Sequence, residues 1–340
     1  MSLNMQRFET QLDRTNFQPL NGKADPYDLV ASVHGNVGDA HEMMVQAGVL
    51  GWQHETVPLY GMDKAGNFYE APTSTRAIVV PQFPGGPAYF GHGAEGFKFI
   101  RPEAVVPLID AVVAHGNRLT GISPGPVTRF FFDSKLIDIT PYSQQARDSV
   151  GELIQIRWQL DLGNTGKNSL KFGQNGMRLW CANGCTTAET MGSVSISHDN
   201  LASAKIAAVV NRILERGDLG LEKWIADARQ TITKRMSLDQ AMMLWAELFK
   251  WSDEKEDRAL TIQENQQATL TQLWRSPTQQ VTFPDTAWAF FGATTEYLDH
   301  EATVKFAGSS REEALARRVV EGNTAVATVK NRAWEMALAI

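Results

Sequence analysis

Residues 154–162 run Ile-Gln-Ile-Arg-Trp-Gln-Leu-Asp-Leu, and this stretch constrains the fold more than any other part of the chain. Ile154, Ile156, Trp158, Leu160 and Leu162 are apolar, and Gln155, Arg157, Gln159 and Asp161 alternate with them. A period of two belongs to a β-strand, whose successive side chains point to opposite faces. The spacing predicts a strand with its apolar face on a core and its polar face turned to solvent or a ligand. Such a strand needs neighbours. Residues 127–132 before it, and 177–181 and 193–197 after it, have the β-branched and aromatic content to supply them. Upstream, 52–60 and 75–80 also have strand character, and turn-forming residues fill 61–67 between them.

Beyond His198 the period changes. Residues 201–214, 221–232 and 238–249 carry apolar residues at helical spacing; in the last, Leu238, Ala241, Met242, Trp245, Leu248 and Phe249 form one stripe. Two further helices are expected near 286–298 and 311–338, and two earlier ones at 40–49 and 103–115. The charge run at 253–257 suits a solvated segment. Strands first and helices second predict an α+β protein, antiparallel-sheet-rich in its N-terminal part and mostly helical in its C-terminal part. The expected division is an N-terminal arm over 1–35, a strand-rich α+β domain over 36–200 and a helical region over 201–340.

A chain of 340 residues that is 43% hydrophobic and 21% charged has ample material for a large core and too few charges for extended disorder. The formal net charge of -6 argues against a broad basic face for duplex DNA, so any nucleic-acid site is expected as a local patch. Two cysteines rule out a disulfide framework and suit a reducing compartment. The first residues turn polar at Gln6, and no apolar run approaches eighteen residues, so a cytoplasmic protein without a membrane span is expected.

No familiar catalytic motif is present. Gly91, Gly93 and Gly96 fit G-x-G-x-x-G, but Pro102 precedes any helix, so the context of a dinucleotide loop is missing. Cys181 and Cys185 have no second pair of zinc ligands nearby and fit buried thiols better. Glu296, Asp299 and His300 share one helical turn, where a metal site competes with an ordinary polar helix end. No catalytic residue, metal or cofactor is therefore assigned.

Residues 162–188 contain no acidic residue, yet hold Lys167, Lys171 and Arg178 in a glycine- and asparagine-rich setting. With Arg157 on the polar face of the alternating strand and Arg129 on a possible neighbour, this flexible basic segment suits a single-stranded phosphate backbone. The alternative is a solvated hairpin with incidental charge.

Several segments together resemble a known family: 51–80, the turn at 115–125, Arg178 to Cys185, residues 195–200, and 285–300. In this order they are similar to phage- and plasmid-encoded proteins catalogued as a domain of unknown function. Family members carry an arginine-valine-cysteine-x-asparagine segment, matched here by Arg178, Cys181 and Asn183, with Leu179 and Trp180 replacing the middle. His198, Trp288 and Tyr297 stand where the family has a histidine and a tryptophan-to-tyrosine helix. The resemblance implies mobile-element biology: replication, recombination or evasion of host defence. The layout also resembles that of single-strand annealing recombination proteins. The leading expectation is a non-enzymatic single-stranded nucleic-acid-binding protein, annealing strands as a homo-oligomer. The alternatives are a protein that binds a host factor, and a metal-dependent enzyme on nucleic acid or nucleotides using Glu296, Asp299 and His300.

Overall fold

The computed structural model describes residues 19–34, 40–70, 75–94, 99–141, 152–165, 170–178, 182–185, 193–196, 203–252, 257–280, 283–304, 310–322 and 324–340. In chain order the first part comprises α1 (Pro26–Val30), β1 (Val33–His34), α2 (Ala40–Gln46), β2 (Glu55–Pro58), β3 (Tyr60–Met62), β4 (Phe68–Glu70), β5 (Thr75–Val80), β6 (Ala88–Ala94) and α3 (Val106–Ala114). Then come β7 (Arg118–Ser123), β8 (Val127–Asp138), β9 (Leu153–Gly163), β10 (Leu170–Arg178), β11 (Asn183–Gly184) and β12 (Ser193–Ile196). The helical part is α4 (Ser203–Thr233), α5 (Leu238–Phe249), α6 (Asp257–Trp274), α7 (Pro277–Gln280), α8 (Ala287–Glu296), a π-helical turn (Tyr297–Glu301), α9 (Arg311–Val320) and α10 (Thr324–Ala339). The α+β class expected from the sequence is the one observed.

The alternating strand, β9, lies inside the largest sheet, whose order is β1-β7-β8-β9-β10-β11, with β12 pairing the other end of β10's outer edge. Its ladders are antiparallel. The apolar face carries Phe130 and Phe132 from β8, the even-numbered apolar residues of β9, and Phe172 of β10, which stacks on Trp158 at 4.9 Å. One half of this face packs with Met43 and Met44 of α2 and with Leu108, Ile109 and Val112 of α3. The other half, at Ile154 and Ile156, packs with Leu221, Trp224, Ala228 and Ile232 of α4 and with Trp288 and Phe290 of α8. Each such buried side chain contributes on the order of 1.5–3 kcal/mol.

The polar face departs from expectation. It is not solvated: Gln155, Arg157 and Gln159 are buried, with Asp25 at the start of α1 against Arg157 and Val320 of α9 against Gln159. The first 35 residues were expected to be an irregular arm, yet their described part docks here, through Tyr27 packed with Phe131 and Val320 and through β1 joined to β7. A polar row becomes buriable when each of its groups meets a partner; for Arg157 and Gln159 residues far away in the chain, Asp25 and Val320, supply one, while Gln155 donates to the nearby Lys135 and Ile156 carbonyls.

Three further boundaries differ. The helices expected at 201–214 and 221–232 are a single α4 of 31 residues. Gly217 lies within it, where the Trp158 ring crosses the helix; a Cβ there would lie 2.4 Å from Cη2 of that ring. Residues 311–338 form two helices, α9 and α10, parted at Gly322 with φ 67°. The middle of the segment expected to be a flexible basic loop, Leu170–Arg178, is strand β10. Among the described residues no helix is long and apolar enough to cross a membrane.

Candidate functional site

The register builds the polar face row by row. Arg129 of β8 and Lys171 of β10 both stand opposite Asp161 of β9, so the two cations flank one carboxylate. Arg129 Nε lies 3.8 Å from Asp161, and its Nη1 lies 3.7 Å from Glu321. Burial holds the Asp161 carboxyl above its usual range, against the pull of Arg129 and of a 2.7 Å hydrogen bond donated by Gln159. Lys171 is exposed.

Four residues along β9, Arg157 stands opposite Asp133 of β8 and Asn175 of β10. Its guanidinium is 1% exposed. Nη1 and Nη2 donate to the two oxygens of Asp25 at 2.8 and 2.6 Å, Nε donates to Asp133 at 2.9 Å, and the Tyr27 ring lies 4.5 Å below. Local structure aims Asp25 here. Its carboxylate caps α1 by accepting the Tyr27 N–H at 2.9 Å, and Pro26 supplies a preset φ for the first helical residue. Burial alone would lower the Arg157 pKa; the Asp25 and Asp133 charges outweigh it and raise it. Burial likewise holds the Tyr27 phenol above its ordinary range.

Arg178 stands opposite Ile154, which places it on the other face of the sheet, under the helices. Glu152 accepts from its Nε and Nη2, Gln279 accepts from Nη1 at 2.7 Å, and the Thr278 carbonyl accepts from Nη2 at 3.1 Å. The Trp288 ring completes the enclosure at 5.7 Å. Gln279 and Thr278 donate onward to Glu296, which also accepts from Asn21 at 3.0 Å. Gly292 of α8 leaves room for this bridge: a Cβ there would sit 2.3 Å from the Gln279 oxygen and 2.7 Å from Arg178 Nη1.

The turn after β10 is clamped by the π-helical turn. Asp299 accepts the Gly184 N–H at 2.9 Å, Lys330 bridges Asp299 and the Gly184 carbonyl at 2.8 and 2.9 Å, and His300 Nε2 lies 3.1 Å from the Ala182 carbonyl. Arg318 donates to the Leu298 carbonyl in the same turn. Cys185 is buried, and burial, reinforced by the Glu152 charge, pushes its thiol up to about 12. Glu296, Asp299 and His300, weighed above as a metal site, thus face three different sets of partners; among the described residues no group of three His, Cys, Asp or Glu side chains is placed to hold a metal ion.

Of the five residues assigned to phosphate, then, Arg129, Arg157 and Lys171 share one face and Arg178 lies on the other; Lys167 falls outside the described residues. The buried guanidiniums of Arg157 and Arg178 are engaged by carboxylates, so they form no open cationic track. Burial of a charge requires a paired partner, and the sequence alone does not show that Asp25 and Glu152 are those partners. The Asp25-Pro26 pair was a readable helix-start signal; nothing local marked Gln279 or Gly292. Within the family-like segment, Trp288 closes over Arg178 and Tyr297 packs edge-on to Phe249 at 5.8 Å, while Cys181 and His198 lie outside the described residues. Gly91 and Gly93, from the glycine-rich motif, lie within strand β6.

A different surface is open. β3 and β4 form a two-stranded hairpin of their own, with Tyr60 opposite Glu70, Gly61 opposite Tyr69 and Met62 opposite Phe68. Tyr60, Met62 and Phe68 share one face and are 64%, 64% and 74% exposed. Tyr69 is also exposed, its ring laid over Gly61 so closely that a Cβ there would lie 2.6 Å from Cζ. The turn is firmly built: Asp63 accepts the Ala65 and Asn67 N–H groups and the Asn67 side-chain amide. The Asn67 hydrogen bond holds the Asp63 carboxyl below its usual range. Glu70 ties the open end to Arg76 of β5 at 2.8 Å.

The chain is thus an α+β protein with a long antiparallel sheet clamped between helices and two buried guanidinium clusters. Residues 165–329 match the family model of a domain of unknown function, DUF932. That stretch, just under half the chain, begins after β9; it takes in Arg178, Cys185 and the π-helical turn, and leaves out Arg157 and the hairpin. No curated protein and no solved structure matches the chain.

Proposed function

We propose that this chain is a binding protein that docks onto another protein through the β3–β4 hairpin, in the phage or plasmid setting its family resemblance implies. One observation carries this: Tyr60, Met62 and Phe68 are exposed together on one face of eleven residues of prefolded backbone, with Tyr69 exposed on the other. Scattered exposed apolar residues are ordinary, but a contiguous group marks an interaction site. Tyr, Phe and Met are enriched in interface cores, and a rigid turn lowers the ordering cost of binding. The hairpin's own charges, Asp63, Lys64 and Glu70, are mixed, which suits a protein surface better than a phosphate backbone. A photoreactive amino acid at Phe68, activated in cells of the native host, is expected to give a discrete protein adduct. Absence of any adduct overturns the proposal.

A second observation favours single-stranded nucleic acid. Thr165, at the start of the acid-free segment, lies 3.5 Å from the Cβ position of Gly91, which sits between the exposed Tyr89 and His92 on β6, and Lys171 is exposed further along. Aromatic rings beside cations can stack bases and meet phosphates. This predicts binding of a labelled oligonucleotide at about 50 mM salt that weakens as salt rises; no binding at micromolar protein excludes it.

A further inference from the structure

We infer that the outer end of the sheet's polar face binds one phosphate group between Arg129 and Lys171. The site is separate from the hairpin and stands whether or not the hairpin docks a partner. The register builds it. Ser123 of β7, Arg129 of β8, Asp161 of β9, Lys171 of β10 and Ser195 of β12 pair from strand to strand, so all five lie in one row on one face. Strands about 4.8 Å apart place the Arg129 and Lys171 backbones about 10 Å from each other. Both side chains are long enough to meet above Asp161, whose short side chain stays near the backbone.

The two arginines of this face differ in a way that points to a ligand. Arg157 is complete: its three nitrogens donate to Asp25 and Asp133. Arg129 is not. Its side chain is 13% exposed, and the two carboxylates beside it, Asp161 and Glu321, lie 3.8 and 3.7 Å away, beyond ordinary hydrogen-bond reach. Its Nε is buried and has no hydrogen-bond partner among the described residues. A buried donor without an acceptor is costly, and an arriving oxyanion removes that cost. A guanidinium fork beside an ammonium point charge is the usual pair of phosphate ligands. Lys171 is exposed, so the row is reached from solvent at that side.

The neighbouring carboxylates compete weakly for these cations. Burial holds the Asp161 carboxyl above its usual range, so it carries its charge less readily than an ordinary aspartate. Glu321, at the end of α9, is 49% exposed, where water screens its attraction. A phosphate group brings up to two charges and several acceptor oxygens to the same place.

The test is calorimetric titration of the purified full chain with inorganic phosphate at constant ionic strength and neutral pH. Saturable binding with a dissociation constant of about 1 mM or tighter is expected. Lys171→Gln, at an exposed position, should weaken it at least about fivefold with no change in thermal unfolding, and Arg129→Gln at least about tenfold. Asp161→Asn removes the competing charge but keeps an acceptor for Gln159, and should tighten binding about threefold or more. A row of purely structural ion pairs gives no such gain. Absence of saturation by about 20 mM phosphate, or binding that all three variants leave unchanged, overturns the inference. A labelled single-stranded oligonucleotide identifies the source of the phosphate. Displacement by phosphate, with the same ranking of variants, assigns the site to a nucleic-acid backbone. Phosphate binding without oligonucleotide binding assigns it to a small phosphorylated molecule or the free ion; either result supports the site.

Discussion

The two regions that matter most in this protein are opposites. The polar face of the sheet and the Arg178 cluster beneath its other face hold the charged residues that draw attention in the sequence, and the guanidiniums of Arg157 and Arg178 there are sealed, while Lys171 stays exposed. The β3–β4 hairpin has an unremarkable sequence, Tyr-Gly-Met-Asp-Lys-Ala-Gly-Asn-Phe-Tyr-Glu, and is open. Residue chemistry alone therefore misranks surfaces. An arginine is a phosphate ligand only if its fork faces outward, and Arg157 and Arg178 spend theirs on Asp25, Asp133 and Glu152. A tyrosine or phenylalanine that should be core becomes a contact element when the fold leaves it outside.

The contrast can be broken most sharply at Cys185. With its thiol near 12 instead of the ordinary 9.0, the thiolate is about a thousandfold scarcer at pH 8. In a Cys181→Ser chain, reaction with a disulfide reagent at pH 8 should be slow when folded and fast in urea; fast reaction in the native state would show that the cluster is open. The folded state favours the neutral thiol, so this group's contribution to stability is intact below about 9 and is lost as pH rises towards 12.

Next in size is the Arg178–Glu152 pair. Arg178→Ala or Glu152→Ala leaves an unpaired buried charge and should cost about 3–5 kcal/mol in urea unfolding, whereas replacing both by methionine should recover much of it. Single losses under about 1 kcal/mol would contradict a sealed pair. Asp25→Ala removes a bidentate partner and a helix cap, but Asp133 stays on Arg157, so a smaller loss of about 2–4 kcal/mol is expected. Gly292→Ala forces a methyl against the Gln279–Arg178 bridge and should cost about 1–3 kcal/mol by the same assay. At the far end, Phe68→Ser on the hairpin should alter stability by no more than about 0.5 kcal/mol. A large loss there would mean the hairpin is structural rather than a docking element.

Much of the fold was legible because its signals are local. The alternation at 154–162 became β9, and the stripe at 238–249 became α5, with Ser237 and Gln240 forming a reciprocal capping box at its start. The failures are equally specific. The helices expected at 201–214 and 221–232 are one, and the stretch between them gave no hint that Trp158 crosses it at Gly217. The polar stretch Asp133–Asp138 at the end of β8 was missed because its outward-looking composition hides a strand whose Asp133 serves Arg157. Helix α6 was missed because its sequence is dominated by polar residues and only a few positions, such as Leu270 and Trp274, reach the core.

By itself the sequence determined where strands give way to helices and which face of β9 is apolar, because both follow from backbone periodicity and side-chain sterics within a few residues. Tertiary structure alone decided what became of the polar face. Asp25 reaches Arg157 across 132 positions, and Gln279 reaches Arg178 across 101. Whether a charge is solvated or sealed depends on which distant segment the chain lays over it. The same long-range packing left Tyr60, Met62 and Phe68 of the hairpin exposed.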